Sequence, residues 1–192
     1  MALPPLDEYT KIIGRSSQMD LKVMSMMSKS WFREEAIRLK KIRFNKRRFI
    51  ISNSDDVKKR ITIGRLYLFE YYPKGADTLS VWDRFPLCLP FRGTDKGFYG
   101  INLHYLTYFQ RAYLLERLVR GANKSSNRLR VSWEILNSFS RVPVAEHATK
   151  QYLLSQVQSP FKLIEIEDYT KAIMMPMAEY YGEEARKFRN RY

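Results

Sequence analysis

Asp77, Asp83 and Asp95 fall within one aromatic, turn-rich stretch of a chain that is otherwise strongly basic. Carboxylates gathered on one sheet beside cationic side chains could hold a hydrated Mg²⁺ against a phosphate, the donor set of a metal-dependent nuclease. Each of the three also sits in a turn-like context, where aspartate is expected for hydrogen bonds to its own backbone. Glu70 faces them with no Glu-x-Lys companion on its strand. The local-structure reading is the stronger one, and no catalytic residue is assigned.

His104 falls on a predicted strand, His147 on a predicted helix, and the single cysteine, Cys88, in an apolar strand. One cysteine and two distant histidines cannot assemble a Cys/His zinc site or a His-x-x-x-His pair, so no metal and no cofactor is expected. His104 reads as a hydrogen-bonded structural histidine and Cys88 as a small buried hydrophobe. The sequence contains no G-x-x-x-x-G-K-[ST], G-x-G-x-x-G or G-x-S-x-G, so nucleotide hydrolysis, dinucleotide binding and a hydrolase elbow lack support.

The chemistry that remains is electrostatic. Residues 38–48 read RLKKIRFNKRR, with Arg38, Lys40, Lys41, Arg43, Lys46, Arg47 and Arg48 and no acid among them. Phe44 and Phe49 lie within or beside this run. Arginine and lysine grip phosphates while aromatic faces stack on unpaired bases, so the mixture suits nucleic acid. The alternative is a solvated face, or one paired with the acids of a neighbouring subunit. Lys58, Lys59 and Arg60 continue the positive charge, and Arg186, Lys187, Arg189 and Arg191 form a second cluster near the C-terminus. Over 192 residues, 34 Lys+Arg against 20 Asp+Glu give a formal charge of +14, which predicts attraction to polyanions.

The elements that must position these groups centre on residues 64–106. Between 65 and 72, Leu66, Leu68 and Tyr72 alternate with Tyr67, Phe69 and Tyr71, so both faces of a central strand want cover. Pro73 and Gly75 then turn the chain. In residues 81–91, Pro86 and Pro90 argue for an edge or strongly bent strand, because proline cannot donate to a ladder. Residues 98–106 return as a third strand, with Gly100 marking a bulge or a close backbone contact.

The flanks read as helix. Leu21, Met24, Ser28, Phe32, Ala36 and Leu39 recur at helical spacing. Met26, Met27 and Trp31 widen this stripe, which reads first as a methionine-rich core face and alternatively as a protein interface carried by Met24, Met27 and Trp31. A helix is expected over 108–120 with Gly121 as its stop and another from Pro143 through Val157, while residues 128–139 fit helix or strand, with helix the favoured reading. Two strands, 161–166 and 171–177, then rejoin the sheet as an antiparallel pair.

Taken together, Tyr72-Pro73-Lys74, Asp77-Thr78-Leu79, Trp82-Asp83-Arg84-Phe85-Pro86-Leu87 and Gly97 through Leu106 resemble a virion-associated family of large contractile-tailed bacteriophages. The resemblance spans roughly residues 60–180 and extends to Gln151-Tyr152-Leu153-Leu154-Ser155, residues 161–166 and Ile173-Met174-Met175-Pro176-Met177. Leu79-Ser80-Val81 departs from the Leu-Pro that the family places before its aromatic-Asp pair. It carries no catalytic residues to this chain. Pro73, Trp82, Asp83, Phe85, Pro86, Gly100 and His104 are its structural signature here.

A single α+β domain is expected over 17–182, with a small, mainly antiparallel sheet or partly open barrel flanked by basic amphipathic helices. Its parts are a helical basic segment (17–48), a β-rich core (49–106), a helical segment (107–158) and returning strands (161–177). Residues 1–16 form an arm and 183–192 a basic tail. No 18-residue apolar run and no basic, apolar leader is present, so synthesis in the host cytoplasm and no membrane are expected. The expected role is a non-enzymatic component of a phage virion near DNA, at the DNA end, neck or tail interior. The alternatives are baseplate or tail assembly without DNA contact, and a metal-dependent nuclease. The expected partners are other virion proteins, in multiple symmetric copies, and packaged DNA through its phosphates.

Overall fold

The structure, a computed structural model, describes residues 18–41, 61–124, 128–175 and 180–181. The arm, the tail and all but Arg38, Lys40 and Lys41 of the predicted basic contacts lie outside these residues.

Helix α1 (Gln18–Lys41) buries Ser28, Phe32, Ala36 and Leu39 along the predicted stripe. It is followed by β1 (Leu66–Leu68), β2 (Trp82–Asp83), β3 (Leu87–Thr94) and β4 (Gly97–Asn102). Helices α2 (Tyr108–Lys124) and α3 (Arg128–Phe139) precede β5 (Thr149–Leu153), β6 (Lys162–Ile164), α4 (Tyr169–Met174) and β7 (Tyr180–Tyr181). Five strands form one open antiparallel sheet in the order β5-β4-β3-β1-β6, and β2 pairs with β7 apart from it. This is the expected single α+β domain, with an open sheet and not a barrel.

Both faces of β1 are covered, as its double alternation requires. Leu66 and Leu68 join Phe85, Leu87, Leu89, Ile101 and residues of all four helices in the larger core. Tyr67 turns to the opposite face, where Phe69, Tyr71, Phe98 and Tyr152 form an aromatic cluster with Cys88. Phe69 is its hub, with ring centroids 5.3 Å from Tyr152 and 4.7 Å from Phe161. Each such contact adds about 0.5–1.5 kcal/mol beyond the area it buries.

Four sequence expectations are corrected. The stretch 81–91 is not an edge: β3 lies between β4 and β1, and Pro90 is tolerated because the register shifts between Pro90 and Arg92 while its carbonyl accepts from Gly64 N at 3.2 Å. The third strand stops at Asn102, whose side chain accepts from His104 N and turns residues 103–105 into a 3-10 turn. Gly121 lies inside α2 and does not end it.

The fourth correction concerns the C-terminal third. Pro143 opens only a single 3-10 turn, and β5 follows because pairing with β4 overrides the helical propensity of Lys150 and Gln151. Of the two returning strands only β6 is one. It pairs with β1, while Tyr169, Ala172 and Ile173 have helical spacing and bury one face of α4.

Two glycines are demanded by close approach. A Cβ at Gly100 would strike Cys88 Sγ, and one at Gly97 would strike the Tyr152 carbonyl oxygen across the β4–β5 ladder. Because that second obstacle is backbone, Gly97→Ala is expected to cost about 3 kcal/mol. Urea unfolding of the variant measures it, and an unchanged midpoint would contradict the β4–β5 register.

Candidate functional site

The Trp82-Asp83-Arg84-Phe85 segment is where the signature residues meet. Asp83 is buried, and its carboxylate accepts from Phe85 N at 3.0 Å, Asn102 Nδ2 at 2.8 Å and His104 Nδ1 at 2.6 Å. One side chain thus ties β2, the loop after it, the end of β4 and the 3-10 turn. Phe85 is fully buried and meets Phe32 edge-on at 6.1 Å, and Pro86 is buried behind it. Arg84 reaches Glu70 Oε1 through Nε at 2.9 Å and Nη2 at 2.7 Å.

Asp83 and His104 have the arrangement of the acid and imidazole in a hydrolytic triad. Such a pair acts only if the outer imidazole nitrogen faces a nucleophile or substrate. His104 Nε2 is buried, without a hydrogen-bond partner among the described residues, and the ring lies edge-on to Phe32 at 5.6 Å. Asp77 and Asp95 lie in exposed turns, and among the described residues no three acidic, histidine or cysteine side chains stand together as a metal site needs.

Beside this network opens a cleft of about 210 Å³. Tyr71, Pro73, Leu79, Val81, Trp82 and Tyr105 line it, with Lys150 and Gln151 on the sheet side and Asp83 and Asn102 at its base. The Lys150 ammonium stands over the Tyr105 ring, 4.4 Å from its centroid, and no described residue forms an ion pair with it. Burial lowers its pKa below the ordinary 10.5, against the opposing pull of the Asp83 charge. Burial, helped by Asp83, pushes the Tyr105 phenol well up, so it remains a neutral hydroxyl. Tyr72 braces Trp82 from outside, their centroids 5.2 Å apart.

The described basic residues are spread more widely. Lys40 and Lys41 are exposed in the last turn of α1, where positive charge also favours the helix dipole. Arg38 leans on Glu35 at 3.0 Å, and Lys40 Nζ lies 5.1 Å from the Phe85 ring centroid. Glu35 itself is buried and paired with Lys162, which fastens α1 to β6. Of the candidate interface residues, Met24 and Trp31 pack partly against the core, while Met27 is 65% exposed.

A protein-family model described as the phage T4 terminal DNA protecting protein matches residues 17–191. The chain belongs to this family. No curated protein and no solved structure matches it. Membership of the terminal DNA protecting family upholds the phage, virion-associated context that the Trp-Asp-Arg-Phe-Pro-Leu motif implied. No helix among the described residues is long and apolar enough to cross a membrane.

Lys150 is a cleft residue that local spacing does not reveal: on the helix expected from Pro143 through Val157 it is one more solvated lysine. The signal that could have found it is the Thr-Lys-Gln-Tyr-Leu run, which pairs Lys150 with Gly100 and brings it beside the signature.

Proposed function

We propose that this chain is a non-enzymatic structural component of the phage particle that binds the ends of the packaged DNA and denies them to exonucleases. The carrying observation is the family match over residues 17–191, and the net charge of +14 supports it independently. The phosphate contacts we assign are Lys40 and Lys41 at the end of α1 together with Arg38, Arg43, Lys46, Arg47 and Arg48, and Lys58, Lys59 and Arg60. Arg186, Lys187, Arg189 and Arg191 add a second cluster. The protein then sits near the DNA terminus, at the DNA end, the neck or the tail interior, among other virion proteins and in symmetric copies. Residues 17–182 are the folding unit.

The test compares a linear duplex with a covalently closed circle of the same sequence across a salt series, followed by exonuclease challenge. Engagement of about six to ten phosphates predicts a loss of affinity of roughly 10³- to 10⁵-fold between ~50 and ~200 mM salt. The circle should compete poorly, the bound ends should survive the exonuclease, and exchanging Lys40, Lys41, Arg47 and Arg48 for Ala should abolish both effects. Equal affinity for circle and linear DNA would defeat the end-binding reading. No binding near physiological salt would leave assembly in the baseplate or tail. Mg²⁺-dependent cleavage of the duplex would restore the nuclease.

A further inference from the structure

We infer that the cleft beside Trp82 seats the terminal nucleotide of a DNA strand, its base against the Trp82 wall and its phosphate on Lys150. This deepens the end-binding function proposed above and rests on it. Four observations converge.

The walls are aromatic and apolar, with Tyr71, Pro73, Leu79 and Trp82 leaving few polar atoms on the surface. That suits the π-face of a base, which stacks on aromatic side chains at about 1–3 kcal/mol per base regardless of sequence. At the sheet side lies the Lys150 ammonium, which has no ion-pair partner among the described residues and is partly dehydrated. A cation held close to aromatic walls, in a cleft whose one carboxylate, Asp83, is already engaged by Phe85 N, Asn102 and His104, is complementary to an anionic group arriving with a planar ring.

The volume, about 210 Å³, is below the ~300–1,000 Å³ of drug-sized pockets, so a single base enters with its phosphate left at the rim, and a duplex does not. The site is also preorganised. Asp83 is locked by Phe85 N, Asn102 and His104, and Tyr72 braces Trp82, so little ordering cost falls on binding.

Selectivity for ends follows from the same geometry. To reach the cleft a base must leave its stack. An internal base breaks its pair and two stacking contacts, whereas a terminal base breaks a pair that already frays and only one stacking contact. The buried Asp83 and Asn102 amide at the base of the cleft carry no pattern that would demand one particular base at blunt or frayed ends.

The experiment uses the full chain and short duplexes carrying 2-aminopurine at the terminal position or six positions inward, with 5′-phosphate or 5′-hydroxyl ends. Stacking on Trp82 should quench the terminal probe by at least half and leave the internal probe unchanged. Wild-type protein should prefer the phosphorylated end about tenfold, the worth of one charged hydrogen bond. Lys150→Gln should reduce that preference below twofold while its thermal melt overlays the wild type. If the protein prefers linear DNA to the circle but neither probe responds, or Lys150→Gln keeps the preference, the cleft is not the seat and end binding stands without it. If DNA is not bound at all, both readings fall. The probe readout needs no variant, so a misfolded Lys150→Gln would not rescue the idea.

Discussion

Asp83→Ala is expected to remove about 4 kcal/mol of folding stability, a large fraction of the ~5–15 kcal/mol that a domain holds. The carboxylate is buried and accepts from one backbone amide and two buried side chains. Truncation leaves Phe85 N, Asn102 Nδ2 and His104 Nδ1 facing a hole that no described polar group fills. Each stranded buried donor costs about 1–3 kcal/mol. Asp83→Asn should lose less, about 2 kcal/mol, because one carbonyl oxygen still accepts while its amide confronts the donors of Asn102 and His104. Urea denaturation measures both, and the order Asp > Asn > Ala is the result that matters. Near-wild-type stability for Ala would mean that the network is not what holds the β2 loop to the end of β4.

Arg111→Met is expected to cost a similar amount, about 4 kcal/mol, for the complementary reason that acceptors lose their donor. Arg111 is fully buried on α2. Its Nε donates to the carbonyls of Leu103 at 2.7 Å and Leu106 at 2.9 Å, and its Nη1 donates to Ile173 at 3.0 Å and to Met175. The planar fork thus spans two segments more than sixty residues apart, the 3-10 turn after β4 and the end of α4. Methionine fills similar volume but leaves four carbonyls without this partner. Arg111→Lys should recover only part of the loss, since one ammonium cannot reach both segments with fixed geometry. A calorimetric melt of the two variants decides this, and a Lys variant equal to wild type would show that charge alone, not the fork, is required.

Neither residue could have been weighed from its neighbours in the chain. Asp83 was recognisable as belonging to a signature, because Trp82 and Phe85 flank it in a turn-rich stretch. That its partners would be Asn102 and His104 depended on β4 ending at Asn102, and the sequence reading ran that strand on to Leu106. Arg111 looked like one more solvated cation among 34. Only the arrival of α4 beside the 3-10 turn gives it four carbonyls to serve. Lys150 was obscured by the same error that turned β5 into a helix.

What the sequence determined by itself is what local spacing and composition carry. The stripe through Phe32 and Leu39, the two-faced strand at Leu66–Leu68, the turn at Gly75 with its φ of 74°, and the helices α2 and α3 follow from periodicity and turn chemistry. The strong positive charge is a property of the whole chain and needed no fold to be seen. The tertiary structure alone decided which strand lies at the edge, which proline a bulge absorbs, and where Thr149–Leu153 pairs. It also brought Trp82, Tyr105 and Lys150 around one cleft. The reason is physical. Helical stripes and turns are governed by residues a few positions apart, whereas strand order and buried polar partners are set by which distant segments can satisfy one another's hydrogen bonds once the core has closed.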